Sequence, residues 1–291
     1  LQSEQVAALS TSQVAALLTT QVAAIETTDI AALTTTQIRA LGTSQIQVLD
    51  SSQIEALTTL QTATLSTAQI AVLSTAQMVA IATDDMAAFT TAQIRSLSGA
   101  QFGALTSEQL VALTTEQMGA LASTQVMALT TDQVVAIATE DIAALQTAQV
   151  RYLSSSQVEA LTTDQVAAFE TQDIGSLSTT ALRGLTTDGV QALTTDQIAA
   201  LTTTQIVSLS TTQIAAIQTD EVTALTTTQF AALRTTQIVA LTTEQFAAFF
   251  EHTDDLEPFG ANTDVFPDGI FGQLQVLDRL GTHHRDATAA L

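Results

Sequence analysis

A unit of eight residues, roughly L-x-T-x-Q-[I/V]-x-A, repeats 31 times without insertion or deletion across residues 1–248. Its leucine frame starts at Leu1, Leu9 and Leu17 and continues to Leu241. A short fixed period is typical of a solenoid, because one unit cannot bury its own apolar face and must stack on its neighbours. The repeat therefore predicts a quasi-one-dimensional array over residues 1–248.

Five of the eight positions in the unit are constrained. Position 1 is Leu, Ile or Phe, position 5 is Gln in 24 units, position 6 is almost always aliphatic or Phe, and position 8 is usually Ala. Position 3 is Ser or Thr in every unit except the one with Gly99. Positions 2, 4 and 7 vary and carry most of the charge. We expect positions 1, 3, 5, 6 and 8 to build the stack and positions 2, 4 and 7 to face water.

Two backbone conformations are compatible with this pattern. Alternation of positions 1, 3 and 5 suits a β-solenoid, but its corner would fall on Ala-Ala, where solenoid corners usually need Gly, Asn or Asp. The alternative is a solenoid of very short capped helices, one per octad, since Ala, Gln and Leu are good helix formers. One continuous helix is excluded, because an eight-residue period drifts by about 80° per unit at roughly 100° per residue. We favour the all-α solenoid.

The helical interpretation also predicts how each helix begins. In Thr130-Thr131-Asp132-Gln133 the spacing S/T-x-x-Q is that of a capping box, and Leu129 and Val134 flank it as a hydrophobic staple. Where position 2 is not Ser or Thr, the hydroxyl at position 3 is expected to cap instead. Acids at position 4 fall in the first turn, where the helix dipole favours them; they include Glu108, Glu116, Asp132, Asp164 and Asp196.

An acid replaces the position-5 glutamine in five units, and the first three of these acids recur at intervals of seven octads. An arginine follows each acid at a similar short spacing, which is the same for all four aspartates. We interpret the pairs as structural charge compensation, because a carboxylate at an inward position needs a partner and Arg can donate two parallel hydrogen bonds. The predicted ion pairs are Asp29 with Arg39, Asp85 with Arg95, Asp141 with Arg151, Asp173 with Arg183, and Glu221 with Arg234.

The interval of seven octads between the first three acids has two explanations. It means either that seven octads complete an integral number of turns or that the array grew by duplication of a seven-unit block.

Residues 249–291 differ from the array and are expected to form a non-repetitive cap or assembly segment. They hold both prolines, all three histidines and five of the ten phenylalanines. Aromatic side chains such as Phe249 could cover the end of the stack, which solenoids require for solubility. The histidines His252, His283 and His284 lack the spacing of a metal site, so we expect no metal there. Because the chain begins at Leu1 in mid-repeat, it is expected to be a fragment, a processed protein or a segment of an assembly.

Composition narrows the classes of function. The net charge is −22, Lys is absent and all seven basic residues are Arg, which disfavours nucleic-acid binding. Cys is also absent, and no stretch approaches the roughly 20 apolar residues of a membrane span. No nucleotide-binding or hydrolase motif is present, and no His precedes His252 to act as a base. We therefore expect no enzymatic activity, no cofactor and no insertion into a membrane.

Two resemblances bear on this interpretation. The segment LTTDQVVAIAT (129–139) resembles the opening helix of transcription-activator-like effector repeats, LT-x-[D/E]-QVVAIAS. That resemblance implies a helix start capped by Thr; the array lacks the longer period, the base-reading loop and the basic surface, so DNA recognition is not implied. The array as a whole resembles the Thr/Gln/Ala-rich octapeptide repeats of large bacterial surface or secreted proteins, a resemblance that implies no activity.

The sequence thus predicts a structural repeat protein, an extended rod, stalk or filament subunit at the bacterial cell surface or outside the cell. Its expected partners are copies of itself or further repeats of the same chain. The alternative is an acidic adhesin or ligand-binding solenoid that uses positions 2, 4 and 7.

Overall fold

Each octad folds into one short α-helix. The computed structural model describes residues 3–252, and this range contains 31 α-helices and no β-strand. The all-α solenoid is therefore confirmed, and the β-solenoid alternative is wrong for this part of the chain. No helix among these residues has both the length and the apolar character that crossing a membrane requires.

The helices follow the octad frame, starting at position 3 and ending between positions 6 and 8, except for the longer last helix. Their bounds are α1 (Ser3–Ala7), α2 (Thr11–Ala15), α3 (Thr19–Val22), α4 (Thr27–Ala32), α5 (Thr35–Ala40), α6 (Thr43–Gln47), α7 (Ser51–Glu55), α8 (Thr59–Thr64), α9 (Thr67–Ala71), α10 (Thr75–Val79), α11 (Thr83–Met86), α12 (Thr91–Ser96), α13 (Gly99–Gly103), α14 (Ser107–Val111), α15 (Thr115–Gly119), α16 (Ser123–Ala128), α17 (Thr131–Ala136), α18 (Thr139–Ala143), α19 (Thr147–Val150), α20 (Ser155–Glu159), α21 (Thr163–Ala168), α22 (Thr171–Ser176), α23 (Thr179–Leu182), α24 (Thr187–Gln191), α25 (Thr195–Ala200), α26 (Thr203–Ser208), α27 (Thr211–Ala216), α28 (Thr219–Thr223), α29 (Thr227–Ala231), α30 (Thr235–Ala240) and α31 (Thr243–His252).

The helices are joined without any left-handed residue. The position-2 residue takes an extended conformation, as at Thr130 with φ −76° and ψ 161°. The next leucine frame residue closes the preceding helix, since its amide donates to the position-6 carbonyl, as Leu41 does to Ile38. No residue in the described range has a positive φ. The chain therefore turns at every octad without a conformation that requires glycine. This explains why the repeat has no glycine at a fixed position.

The capping box is confirmed wherever position 2 is Ser or Thr and position 5 is Gln. In α17 the Thr130 hydroxyl accepts from the Gln133 amide at 3.2 Å, and the Gln133 side chain accepts from the Thr130 amide at 2.9 Å. The expectation that position 3 would cap in the other units was wrong. In α16 the N-cap is still the position-2 residue, Ala122, which has no side-chain cap, and its amide donates to Gln125 Oε1 at 2.8 Å.

Burial corrects one part of the position assignment. Positions 1, 5 and 6 are buried, with rare exceptions near the ends of the described range, and position 8 is mostly half-buried, whereas the Ser and Thr side chains of position 3 are exposed or half-buried. Position 3 was expected to face inward because it is nearly constant. The constant hydroxyl instead marks the first residue of each helix, and in several units it has the further role of contacting a buried acid described below.

Helices that pack together are three apart along the chain. The structure divides into two compact units, Leu1–Gly184 with α1 to α23 and Leu185–Leu291 with α24 to α31. In the first unit α1 packs on α4 and α2 on α5, and in the second α24 packs on α27 and α28 on α31. Helices of five or six residues are unstable alone, so this packing must supply their stability.

At the end of the array, α31 adds an aromatic contact. The Phe249 ring stacks on Phe230 with centroids 3.7 Å apart, and Phe246 lies 6.3 Å from Phe230. Offset and stacked aromatic pairs of this kind contribute beyond their buried area. The rest of the predicted cap, residues 253–291, lies outside the described residues, so the boundary at 248/249 stays a prediction.

Candidate functional site

A buried glutamine at position 5 connects successive turns of the solenoid, and we call this arrangement the glutamine bridge. Gln125 shows it most clearly, since its side chain is fully buried. Its Oε1 accepts from the Ala122 amide at 2.8 Å, and its Nε2 donates to the carbonyls of Ile94 at 2.6 Å and Leu97 at 3.1 Å. One amide group thus caps its own helix, α16, and ties it to the end of α12.

The same bridge recurs along both units. The Nε2 donates to the carbonyl 28 residues earlier, 31 residues earlier, or both, in Gln37, Gln45, Gln53, Gln61, Gln69, Gln77, Gln93, Gln101, Gln109, Gln117, Gln133, Gln149, Gln157 and Gln165 of the first unit and in Gln213, Gln229, Gln237 and Gln245 of the second. Each of these hydrogen bonds contributes about 0.5–1.5 kcal/mol net, and the set recurs at nearly every turn.

The five acids at position 5 are buried, as predicted, but their observed donors are hydroxyl or backbone groups. The Ser3 hydroxyl donates to Asp29 at 2.7 Å, and the Thr147 hydroxyl donates to Asp173 at 2.8 Å. In both cases the donor is the position-3 residue three octads earlier. Asp85 instead accepts at 3.0 Å from Thr62, a buried threonine at a position-6 site that is normally aliphatic.

Two of these carboxylates keep one buried oxygen without a hydrogen-bond donor. They are Asp141 Oδ1 and Asp173 Oδ2, on side chains only 6% and 1% exposed. Burial raises the pKa of Asp141; the Thr115 hydroxyl opposes the shift and the Glu140 charge adds to it. Burial likewise raises the pKa of Asp173, opposed by the Thr147 hydroxyl and reinforced by Glu170. Both groups are therefore easier to protonate than an exposed aspartate.

Glu221 accepts the hydrogen bond of the glutamine bridge within its own octad but cannot donate the hydrogen bonds to the preceding turn. Its Oε2 accepts from the Gln218 amide at 2.8 Å, as the glutamine oxygen does elsewhere. An ionised carboxylate has no proton to donate to the carbonyls of Leu193 and Val190, which occupy the places that a bridging Nε2 reaches in other octads. Burial raises the pKa of Glu221, the backbone hydrogen bond from Gln218 lowers it, and the nearby Asp220 raises it further.

The arginines of the predicted ion pairs all have exposed side chains. Arg39, Arg95, Arg151 and Arg183 lie at position 7 on the outer surface, while Arg234 is the N-cap of α30. Their pairing with the buried acids stays a prediction. Sequence reasoning missed the hydroxyl partners, although the nearly constant Ser or Thr at position 3 was a signal that could have indicated them.

Acids at position 4 lie on the exposed first turn, as predicted. A hydrogen bond from its own backbone amide holds the pKa of the Glu108 carboxyl below its usual value, and the Thr106 hydroxyl adds to this effect. The shift at the exposed first-turn acid Glu108 is therefore opposite in direction to the shifts at the buried position-5 acids Asp141, Asp173 and Glu221.

Comparison with known families is consistent with this geometry. The model of the ALTTAQ repeat matches residues 22–59, 78–115, 134–171, 166–203, 199–227 and 214–249, which is more than half of the chain. The chain belongs to the ALTTAQ repeat family. The name spells position 8 of one octad followed by positions 1 to 5 of the next, as in ALTTDQ at residues 192–197. No protein of established function matches the chain.

The ALTTAQ matches and the bridges point to the same superperiod. The first three matched segments begin at residues 22, 78 and 134, and are therefore seven octads apart. The bridge in the first unit joins residues 28 apart, half of this spacing, as Gln37 does with Leu9. Each helix packs three helices away and bridges four helices away, so one turn holds between three and four octads. Two turns would then hold between six and eight octads, a range that includes the recurring interval of seven.

Three consecutive ALTTAQ octads lack a bridging glutamine. Their position-5 residues are Asp173, Ala181 and Gly189, all buried. In α23 the Ser178 hydroxyl still caps the helix by accepting from the Ala181 amide at 3.0 Å, but Ala181 has no side-chain amide to reach the preceding turn. The division between the two units, at Gly184, falls within this stretch.

Among residues 3–252 no group of three or more His, Asp or Glu side chains is placed to hold a metal ion. What the position-5 side chains do chemically is donate and accept hydrogen bonds between turns.

Proposed function

We propose that the chain is a structural repeat protein that forms an extended rod, stalk or filament subunit outside the cell or at the bacterial cell surface. The observation that supports this role is the glutamine bridge. Each bridge satisfies groups of its own octad and of octads 28 and 31 residues earlier, so every added octad repeats the same set of bonds. Such an array has no internal limit to its length.

Charge supports a place outside the cell. The net charge of −22 and the absence of Lys keep a repetitive surface soluble by self-repulsion. The exposed acids at position 4 contribute to this charge without disturbing the stack. The expected partners are copies of the same chain or further octads of a longer chain. The proposal assigns no catalytic role to the buried acids.

Negative-stain electron microscopy of the purified chain tests the structural role. We expect elongated particles, whose length falls in proportion when residues 65–120, seven complete octads, are deleted. Because the deletion removes whole octads, each remaining position-5 glutamine keeps its spacing of 28 and 31 residues to the carbonyls it bridges, and circular dichroism should show unchanged helicity per residue. Compact globular particles for both chains would contradict the proposal.

A further inference from the structure

An open groove of about 770 Å³ lies on the surface of the first unit. Residues of three successive turns line it: Arg95 of α12, Glu116 and Gly119 of α15, and Gln146 and Tyr152, which flank α19. Its volume lies within the roughly 300–1,000 Å³ of ordinary ligand sites. Nothing in the structural role requires this groove.

Two glutamine bridges fix the walls of the groove. Gln149 donates to the carbonyls of Met118 at 3.1 Å and Leu121 at 2.8 Å, which holds α19 and the adjoining Tyr152 against the end of α15. Gln125 ties α16 to α12, which carries Arg95. These two bridges hold the backbone of both walls in place, so the groove is pre-formed.

A glycine creates the space between the walls. Position 7 is Gly119 on the middle turn, whereas it is Arg95 three octads earlier and Arg151 four octads later. A Cβ at Gly119 would lie 3.0 Å from the Ala144 carbonyl oxygen, so the turn above approaches too closely for a larger residue. Residues Ala120, Leu121, Ala122 and Ser123, which follow Gly119, also line the groove.

The chemistry of the lining is mixed. Tyr152 is the only tyrosine of the chain and is 45% exposed, so its ring offers an apolar face. Arg95 offers donors only, Glu116 acceptors only, and the Gln146 amide both. A ligand that carries several hydroxyl donors and acceptors around a partly apolar ring would satisfy all of them. The net charge of −22 opposes an anionic ligand.

From these observations we propose that the groove binds a neutral saccharide. One sugar ring lies against the face of Tyr152, its hydroxyls donate to Glu116 and accept from Arg95, and the Gln146 amide contacts a neighbouring ring. This role goes beyond the structural one and does not depend on it, since the groove is complete within one chain.

Tyrosine fluorescence tests the proposal directly. The chain has one Tyr and no Trp, so its tyrosine emission reports on Tyr152 alone. Maltotriose, cellotriose, laminaritriose and chitotriose are titrated separately, with trigalacturonate as the charged counterpart. We expect a saturable change with at least one neutral trisaccharide. The Arg95→Ala variant should weaken that binding about tenfold or more, the usual effect of losing a hydrogen bond to a charged group.

The matched control is Arg39→Ala, which removes an arginine at the same octad position outside the groove, and it should leave binding unchanged. Tyr152→Ala, followed by calorimetry, should abolish binding while circular dichroism stays that of the parent chain. The proposal is overturned if no neutral trisaccharide gives a saturable signal, if only trigalacturonate binds, or if Arg39→Ala weakens binding as much as Arg95→Ala.

Discussion

At the residue scale, the difference between an amide and a carboxyl group decides what position 5 contributes. Gln125, for example, accepts one hydrogen bond within its own helix and donates two to the preceding turn, so both its oxygen and its nitrogen have partners although it is buried. An acid at the same place can accept but not donate while it is charged. The unfavourable burial of the charged acids is seen in the raised pKa values of Asp141 and Asp173 and in the buried oxygen of each that has no hydrogen-bond donor.

Replacement Glu221→Gln should therefore stabilise the second unit. The new Nε2 would reach the carbonyls of Val190 and Leu193, and we expect about 1 kcal/mol, or roughly 2–4 °C in the thermal midpoint at neutral pH. Thermal unfolding followed by circular dichroism measures it. Glu244→Gln makes the same charge change at an exposed first-turn site and should give no such gain; equal gains in both variants would show that relief of net charge, and not the bridge, is responsible.

The buried aspartates also predict a dependence of stability on pH. Because burial raises the folded-state pKa of Asp173 above its ordinary value of 3.8, the charged form destabilises the fold at neutral pH. That penalty disappears as the pH falls through the raised pKa toward the ordinary value. Asp173→Asn should therefore raise the thermal midpoint at pH 7, with an advantage that shrinks on acidification.

A control for this prediction is Asp132→Asn, which neutralises an exposed first-turn acid of the same unit. It should show no gain at pH 7, since its carboxylate lies where the helix dipole favours charge. An advantage of Asp173→Asn that grew at low pH would reverse the assigned sign.

At the element scale, each octad forms a very short helix whose start is fixed by two reciprocal hydrogen bonds. The position-2 hydroxyl and the position-5 amide satisfy each other's backbone groups, which compensates for the few hydrogen bonds that five or six residues can make. The sequence predicted this element and its capping box from spacing alone. It did not predict the exposure of position 3, because constancy in a repeat can reflect either burial or a local conformational requirement.

Paired substitutions in α17 separate the two hydroxyls. Thr130→Ala removes the side chain that accepts from Gln133 and should cost about 1 kcal/mol. Thr131→Ala changes an exposed residue next to it and should cost much less, because Ala is the better helix former. Chemical denaturation of both variants measures the difference. Equal losses in the free energy of unfolding for the two variants would indicate that position 3 also caps the helix.

At the scale of the whole molecule, the sequence predicted the class of fold but not the pitch of the solenoid. Identical octads carry no information about which of them touch, so the bonds between one turn and the next were not predictable from the pattern. The rare acids were recognisable because they break the pattern. Their hydroxyl donors, such as Ser3 and Thr147, were not recognisable, because nearly every octad has a Ser or Thr at the same position.

The stretch without bridges is expected to be the weakest part of the array. Ala181→Gln would place an amide within reach of the carbonyls of Val150 and Leu153, by analogy with the bridges on either side. We expect slower proteolysis within residues 173–190 and a thermal midpoint higher by about 2–4 °C, as for one buried hydrogen-bonded group. Gln157→Ala, which removes an existing bridge in the same unit, should have the opposite effect. A destabilised Ala181→Gln would show that the buried site cannot hold the longer side chain.

The claim that glutamine bridges hold successive turns together is tested most directly by hydrogen exchange in a Gln125→Ala variant, read by mass spectrometry. Exchange should accelerate in α16, which loses its cap, and also around Ile94 and Leu97 at the end of α12, four helices earlier. The intervening α14 should exchange as in the parent chain. If α12 kept its full protection while α16 opened, the bridge would be a local cap only, and the account of how the turns are joined would be wrong.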